Sequence, residues 1–202
     1  MDIKIQKAKK EDIPFLAQMI LQSTRAEKKI GIFDYLFGSQ NLLPSIEKLI
    51  VSPLKLYCYY ENFLVATIDS KQVGCLCMYE PRKAKKEDLL AALENIDSSA
   101  KERYEDISVC EFFQERSIVM FDFLEEVEGY LDIGVIKELM RTALLNARLK
   151  GYVKAQTIVE IGSLESKLFY EALGFKILEE KECKEYQEIF GRKGVMLMQL
   201  IF

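Results

Sequence analysis

The longest regular pattern of apolar positions lies between Glu128 and Gly151. Apolar residues recur there at 136, 139, 140, 143, 144 and 147, a spacing that predicts an amphipathic helix. A turn containing Gly129 and Gly134 precedes the helix, and the run 117–124 (SIVMFDFL) before that turn is short, aromatic and branched, as expected of a strand. The N–H groups of the first helical turn point into such a turn, where an anion such as a pyrophosphate can bind.

The rest of the chain alternates between strand-like and helix-like patterns. Further strands are predicted at 3–8, 63–68, 73–79, 153–159, 175–178 and 195–202. Helical spacing predicts helices over 11–27, 44–51, 83–104 and 164–173, with 105–115 left as a second helix or a loop. Residues 69–72 join two strands into a hairpin, and a polar linker with Gly191 and Gly194 precedes the last strand. This order indicates a mixed sheet with helices on its faces, an α/β (α+β) fold.

Composition and charge narrow the class of protein. The chain has 202 residues, half of them hydrophobic, which favours one domain over 1–202. Its 28 basic residues are mixed with 32 acidic ones, for a net charge of −4, so no nucleic-acid partner is expected. Residues 1–10 lack an apolar signal region and no run approaches the ~18 apolar residues of a membrane span. We therefore expect a cytoplasmic protein with no membrane partner.

The cysteine and histidine content argues against metal chemistry. The five cysteines, at 58, 75, 77, 110 and 183, follow no disulfide or zinc spacing. The chain has no histidine, which removes the commonest metal ligand and the commonest general base. We predict no metal site and no Ser-His-Asp triad. Cys75 and Cys77, two apart on a strand, are expected to be small core side chains.

Two segments have a recognisable form. Residues 130–136 read YLDIGVI before the long helix, and residues 163–175 read SLESKLFYEALGF. They are similar to Tyr-Arg-Gly-x-Gly-Ile-Gly and Asn-x-x-Ala-x-x-Leu-Tyr-x-x-x-Gly-Phe, the two motifs of the GNAT superfamily of acyl-CoA-dependent N-acyltransferases. The opening 5–16 (IQKAKKEDIPFL) and the hairpin 63–79 also resemble the family. Only 28–53 and 82–115 lie outside the resemblance, as inserts of the kind that shape the acceptor site in this family.

The resemblance implies a fold and an activity. The fold is a mixed, mostly antiparallel twisted sheet of about six or seven strands flanked by helices. The activity is N-acetyltransfer, in which acetyl-CoA as co-substrate gives its acetyl group to a primary amine by direct attack, without a metal. The acceptor is a small-molecule or peptide amine, whose identity no motif in the inserts specifies. A homodimer stays open, since the apolar last strand, 195–202, is able to pair with a second copy.

The resemblance also implies roles for particular residues. The turn before the long helix binds the pyrophosphate, and Leu124 and Glu126 offer backbone groups to the pantetheine arm. Ser163 and Ser166 contact the cofactor, and Tyr170 acts as general acid on the leaving thiolate. The predicted turn residues are Leu131, Asp132, Ile133, Gly134, Val135 and Ile136. An amine acceptor must also lose a proton, and without histidine the candidate base is the strand carboxylate Asp122.

Each assignment has an alternative interpretation. If Gly174 is the C′ residue of its helix, Tyr170 and Phe175 are the pair that packs together in a Schellman motif. Asp122 is otherwise an acidic strand residue that faces water or pairs with a lysine. Leu131, Asp132 and Ile136 depart from the family pattern, and the Asp132 carboxylate is able to cap the helix and repel a phosphate. The second hypothesis is therefore a GNAT-fold ligand-sensing or protein-interaction module with weakened catalysis.

Overall fold

The structure, a computed structural model, describes residues 2–25, 28, 30–108, 112, 117–130 and 133–202. The strands are β1 (Lys4–Lys7), β2 (Phe63–Ile68), β3 (Lys71–Tyr79), β4 (Ile118–Glu126), β5 (Lys154–Glu160), β6 (Lys176–Glu182) and β7 (Gly194–Ile201). The α-helices are α1 (Ile13–Arg25), α2 (Ile32–Phe37), α3 (Leu42–Ile50), α4 (Lys86–Ile96), α5 (Ser98–Ile107), α6 (Val135–Leu149), α7 (Leu164–Ala172) and α8 (Lys184–Phe190).

The strands form one mixed sheet in the order β1-β2-β3-β4-β5-β7-β6. Neighbouring strands are antiparallel except β4 and β5, which are parallel. The predicted fold class is therefore confirmed. The idea that the last strand pairs with a second copy is wrong, because β7 is hydrogen-bonded to β5 on one side and to β6 on the other. The edges of the sheet belong to β1 and β6.

Each face of the sheet has its own core. On the first face, Phe63, Val65 and the two strand cysteines pack with helices α1 to α5. On the second face, Leu64, Ala66 and other apolar residues of the sheet pack with α6 and α7. The alternation along β2 follows from the two-residue period of a strand. Cys75 and Cys77 are fully buried on the first face, as predicted. None of the described helices is both long and apolar enough to cross a bilayer.

The structure corrects the sequence analysis at the hairpin and in the second insert. Strand β3 begins at Lys71, so the hairpin turn is the pair Asp69–Ser70, both at positive φ, and not a four-residue loop. The helix predicted over 83–104 is two helices, because the side chain of Asp97 accepts a 3.0 Å bond from the N–H of Ser99 and starts α5.

Two helices were missed. In α2, buried aromatic side chains occupy positions 33 and 37, one helical turn apart, and the hexamer is too short to display a periodic pattern. In α8, the segment predicted as a polar linker forms a helix that begins after Cys183 and ends at Gly191, whose φ is +70°. Strand β6 also extends to Glu182, since an edge strand tolerates charged side chains that strand patterns do not include.

Candidate active site

The parallel strands β4 and β5 separate halfway along their length. They pair from Ile118 with Lys154 to Phe121 with Thr157, and then continue to Glu126 and Glu160 without pairing with each other. All residues of both strands are described. The divergence leaves a gap in the middle of the sheet, which we call the fork. Main-chain groups of β4 and β5 that face the fork are not used by the β4–β5 ladder.

A bulge in β4 coincides with the start of the fork. Asp122 pairs with Cys77 of β3, but Glu125 pairs with Cys75, so two residues of β4 lie opposite one residue of β3. One of the two bulged residues, Phe123, has φ +48°, a value that few aromatic residues adopt. The bulge ends the regular alternation of β4 next to Asp122, and no feature of the run SIVMFDFL predicts it.

The start of α6 carries unused hydrogen-bond donors. Gly134 is the N-cap residue, with φ +89°, and no described side chain caps the helix. The first main-chain bond of the helix runs from the Glu138 N–H to the Gly134 carbonyl, at 3.1 Å. The N–H groups of Val135 and Ile136, nearer the helix start, therefore have no acceptor within the helix. A Cβ built on Gly134 would meet no atom of the described residues within 4 Å.

The remaining residues of the predicted pyrophosphate turn are only partly described. Leu131 and Asp132 lie outside the described residues. The N–H of Ile133 donates a 3.0 Å bond to the carbonyl of Tyr130, so the turn closes on itself just before α6. Pyrophosphate binding by this turn stays a prediction, and the geometry at Gly134 fits it.

A close approach of α6 to strand β3 places the start of the helix beside the fork. A Cβ on Gly74 of β3 would lie 2.8 Å from Cγ1 of Val135 and 2.8 Å from the carbonyl oxygen of Glu125. Glycine at this position allows the first turn of α6 to pack directly on the sheet where β4 ends. The open helix N-terminus and the separated end of β4 are consequently neighbours.

The predicted pantetheine contacts on β4 differ in their surroundings. Leu124 is half-buried and packs against the core of the second face. The side chain of Glu126 is buried. The main-chain N–H of Glu126 donates a 3.1 Å hydrogen bond to the Glu125 carboxylate. Its carbonyl accepts a 3.1 Å bond from Nε2 of Gln22 in α1. Both main-chain groups of Glu126 thus have side-chain partners, and a pantetheine that used them would have to replace those bonds.

Tyr170 closes helix α7. The N–H of Phe175 donates to the Tyr170 carbonyl at 3.0 Å, the N–H of Gly174 donates to the Glu171 carbonyl at 2.9 Å, and Gly174 has φ +92°. The rings of Tyr170 and Phe175 pack edge to face with centroids 5.2 Å apart. These contacts confirm the Schellman motif.

The Tyr170 phenol lies at the start of the fork. The hydroxyl of Thr157, the last β5 residue that pairs with β4, is hydrogen-bonded to it. Burial raises the pKa of the phenol to about 12; the Thr157 bond acts in the opposite direction, and the charge of Asp122 raises the pKa further. The phenol therefore stays protonated at neutral pH and is able to donate a hydrogen bond.

Asp122 is a half-buried carboxylate across the start of the fork. Burial raises its pKa to about 6, and a 2.8 Å hydrogen bond from the N–H of Phe123 acts in the opposite direction. Within the described part of the chain it forms no ion pair with a lysine or arginine. A carboxylate with this pKa is ionised at neutral pH and can accept a proton from an amine.

Ser163 and Ser166 form a pair at the start of α7. Ser163 occupies the predicted N-cap position, yet its side chain makes no bond to the helix backbone. Its hydroxyl instead donates to Oγ of Ser166, at 3.1 Å. Their contact with a cofactor stays a prediction.

Sequence reasoning missed the residues that cross the mouth of the fork. Gln22 bonds the end of β4, as described above, and the Lys28 ammonium forms an ion pair with Glu160 at the end of β5. The hydroxyl of Tyr186 donates a 2.6 Å bond to the same carboxylate. Gln22 of α1 therefore contacts the end of β4, and Lys28 contacts the end of β5. No local motif signals these contacts, because Gln22 and Lys28 bond partners more than a hundred positions away and Tyr186 bonds one 26 positions away.

Crystal structures of N-acetyltransferases are similar to the chain over nearly its whole length. An N-acetyltransferase from Staphylococcus aureus Mu50 is 19% identical, with a TM-score of 0.70 over 98% of this chain and 100% of the other. A GCN5-related N-acetyltransferase from Kribbella flavida is 13% identical, with a TM-score of 0.64 over 99% and 98%. PaiA N-acetyltransferase from Thermoplasma acidophilum, solved with coenzyme A, is 16% identical, with a TM-score of 0.58 over 100% of both chains.

These similarities establish the architecture of the chain. No protein-family model and no curated protein sequence matches it. The chain has the GNAT fold, as its two motif-like segments predicted.

Proposed function

We propose that the protein is an N-acetyltransferase that transfers an acetyl group from acetyl-CoA to a primary amine by direct attack. The observation that carries this proposal is the fork, since the gap between β4 and β5 opens where Asp122 and Tyr170 interact electrostatically. A carboxylate able to accept a proton and a phenol able to donate a hydrogen bond therefore flank one opening in the sheet.

The described residues fit acetyl-CoA. The open N–H groups of α6 behind Gly134 suit its pyrophosphate, because a helix N-terminus attracts anions. The main chain of β4 at the bulge, including Leu124, suits the amide groups of the pantetheine arm. Acetyl-CoA supplies a thioester, which combines an electrophilic carbonyl carbon with a thiolate leaving group. A similar structure, the T. acidophilum enzyme, was solved with coenzyme A.

Asp122 has the properties of the general base in this proposal. An amine reaches the site mostly as its ammonium, which cannot attack a carbonyl. Loss of a proton to the Asp122 carboxylate gives the free amine, whose nitrogen then forms the C–N bond as the C–S bond breaks. The nitrogen gives up its second proton to solvent as the amide forms, and solvent protonates the thiolate. The products are the N-acetylated amine, the thiol and one proton, which passes from Asp122 to solvent.

The pKa of Tyr170 defines what its phenol can do. An ordinary thiol has a pKa near 8.5, several units below the value of about 12 for this phenol. Complete proton transfer from Tyr170 to the leaving sulfur is therefore unfavourable. The phenol instead donates a hydrogen bond that stabilises the developing thiolate, and solvent completes the protonation.

Acetyl-CoA binding and thiol release test the proposal. Calorimetric titration should give saturable binding of acetyl-CoA, and a panel of primary amines should release stoichiometric coenzyme A with at least one acceptor. Lack of binding at millimolar acetyl-CoA would rule the proposal out. Tight binding without thiol release from any amine would favour the ligand-sensing module, to which the substitutions at Leu131, Asp132 and Ile136 point.

A further inference from the structure

An aromatic cluster surrounds the bulge on the first face of the sheet. The ring of Phe123 stacks on Phe63, with centroids 6.1 Å apart and planes 12° apart, and on Tyr57, with centroids 6.0 Å apart. Phe33 of α2 lies 6.2 Å from the same ring. The cluster thus brings together the first insert, the hairpin and the bulge of β4.

The carboxylate of Asp122 lies on the same face as this cluster. Asp122 pairs across the sheet with Cys77, and directly opposed residues project from the same side of a sheet. Tyr79 follows Cys77 by two positions, so it also projects from that side and is the diagonal neighbour of Asp122. The ring of Tyr57 packs against Tyr79 with centroids 5.5 Å apart.

A third phenol comes from the second insert. Tyr104 of α5 packs against the same core and interacts electrostatically with both Tyr57 and Tyr79. Desolvation raises the pKa of Tyr57 and of Tyr79 well above the ordinary value, and the charge of Asp122 contributes in the same direction. The phenols of Tyr57 and Tyr79 are therefore neutral at physiological pH. They are also half-buried, so part of each remains accessible from outside.

Neutral aromatic rings around one carboxylate form a good environment for one organic cation. The negative face of a tyrosine ring attracts an ammonium group, and the carboxylate balances its single charge. The neighbouring side chains of Phe33, Phe63 and Phe123 are buried and apolar, and they cannot hydrate a second charge. The site therefore suits a monocation with an apolar substituent, and it disfavours a molecule with two or more ammonium groups.

We propose that Asp122, Tyr57, Tyr79 and Tyr104 bind the ammonium group of the acceptor, and that the acceptor is a primary monoamine with an alkyl or arylalkyl substituent. This inference rests on the proposed acetyltransferase function and specifies its acceptor. Both inserts contribute a phenol or a ring to the site, which explains why the acceptor carries no signature in any single segment. The proton given up by the bound ammonium passes to Asp122.

Two amines of equal size separate this inference from a general amine site. Pentylamine and 1,4-diaminobutane have the same number of heavy atoms and differ in one ammonium group. Calorimetry on the protein without acetyl-CoA should give at least tenfold tighter binding of pentylamine, and 2-phenylethylamine should bind more tightly again. With acetyl-CoA present, kcat/KM should follow the same order. Equal or tighter binding of the diamine, or no binding of any of the three, would overturn the inference.

Substitutions of one phenol test the location. Tyr79→Leu should weaken 2-phenylethylamine binding at least tenfold, and Tyr79→Phe, which keeps the ring, should recover most of that loss. Tyr57→Leu and Tyr57→Phe provide an independent pair if the first leucine variant does not fold. Tyr59→Leu, outside the subsite, is the control. Unchanged amine binding in both leucine variants would place the acceptor elsewhere.

The failures of the two proposals are distinguishable. Amine binding is measured without acetyl-CoA, and acetyl-CoA binding is measured without amine. Amine binding that depends on Tyr79 in a protein that does not bind acetyl-CoA would retain the cation subsite and reject the transferase. Acetyl transfer to amines that is insensitive to Tyr57 and Tyr79 would retain the transferase and reject the subsite.

Discussion

The N–H of Phe175 donates a 3.0 Å hydrogen bond to the carbonyl of Tyr170, and the two rings meet edge to face. Tyr170 therefore ends a helix through its backbone and ring, and reaches the fork through its hydroxyl. The structural and the proposed catalytic interpretations use different atoms of one residue. They are separable by experiment, because phenylalanine keeps the ring and removes only the hydroxyl.

Tyr170→Phe should reduce the rate of acetyl transfer without unfolding the protein. Loss of the phenol removes a hydrogen bond to the leaving sulfur, and we expect kcat to fall by about 100-fold. The free energy of unfolding should fall by about 1 kcal/mol, the contribution of one buried hydrogen bond to Thr157. Steady-state kinetics and urea denaturation measure the two quantities. Full activity in Tyr170→Phe would show that Tyr170 only closes helix α7, through the Schellman motif, and takes no part in catalysis.

Tyr170→Ala is the matched comparison for stability. It removes the ring that packs on Phe175, and such truncations typically cost about 3–5 kcal/mol. A loss of that size in the alanine variant, beside a small one in the phenylalanine variant, would assign the ring to folding and the hydroxyl to chemistry.

The ionisation of Asp122 should lower the free energy of unfolding as the pH rises. A carboxylate in an ordinary ion pair has the reverse effect, since it loses its stabilising charge as the pH falls. The pKa of Asp122 is about 6 in the folded state, above the ordinary aspartate value of 3.8, so the folded state holds the proton more tightly. The resulting stabilisation is complete below pH 4 and is lost as the pH rises to about 6. Asp122→Asn should remove this loss. The stability of the variant relative to the wild type should therefore increase by on the order of 2–3 kcal/mol between pH 4 and pH 7.

The pH dependence of kcat/KM should also show the ionisation of Asp122. If Asp122 is the base, kcat/KM should rise with an apparent pKa near 6, and Asp122→Asn should abolish that limb. The groups facing Asp122 do not titrate in this range, since burial raises the pKa of the thiols of Cys58 and Cys77 and of the phenols of Tyr57, Tyr79 and Tyr170. Glu125→Gln is the control on the same strand, where burial also raises a carboxyl pKa. A limb that survives Asp122→Asn and disappears in Glu125→Gln would move the base to Glu125.

Gly134→Ala should weaken acetyl-CoA binding. Gly134 and Gly151, at opposite ends of α6, have φ +89° and +79°, and a Cβ on either would meet no atom within 4 Å. Alanine should therefore strain both positions equally, by about 1–2 kcal/mol of unfolding free energy. Only the methyl group at 134 would enter the space in front of the helix donors, so we expect calorimetry to show at least fivefold weaker acetyl-CoA binding in Gly134→Ala alone. The same loss in Gly151→Ala would trace the effect to strain.

The ion pair of Lys28 and Glu160 should contribute to stability more than a surface pair does. Both side chains are largely buried, with 12% and 16% exposed, and Tyr186 holds the same carboxylate. A double-mutant cycle with Lys28→Met and Glu160→Gln, measured by urea denaturation, should give a coupling of about 1–3 kcal/mol. The more exposed pair Lys167–Glu171, at 3.8 Å, should give about 0.3–0.5 kcal/mol. Equal couplings would show that the ion pair of Lys28 and Glu160 adds no more stability than a surface pair.

The sequence predicted the fold wherever a local pattern is long enough to be periodic. The fifteen residues of α6 and the closing segment with Tyr170, Gly174 and Phe175 follow from spacing and from the positive φ that glycine permits. The six-residue helix α2 and the seven-residue helix α8 were missed, because each spans two turns or fewer and has no complete amphipathic repeat.

The candidate site was only partly predictable, for a different reason. Tyr170 was proposed from the resemblance of residues 163–175 to the second family motif, and Asp122 from its residue type and its position on a predicted strand. The electrostatic interactions of Asp122 with Tyr57 and Tyr79, and of these two phenols with Tyr104 of the second insert, depend on how distant segments fold. The ring of the bulged residue Phe123 stacks on Phe63, a residue 60 positions earlier in the chain. Tertiary contacts of this kind leave no trace in the spacing of one strand.

The position of β7 in the sheet also determines when the sheet can be completed. Within the part of the chain that the structure describes, strand β6 pairs with β7 alone, and β7 lies between β5 and β6. During synthesis β6 leaves the ribosome before its partner, so it has no strand to pair with until residues 194–201 follow. The nascent chain can assemble β1 to β5 earlier, but α8 and the charged strand β6 must wait. The many charges of β6 would keep it solvated during that interval, before the last strand inserts beside β5.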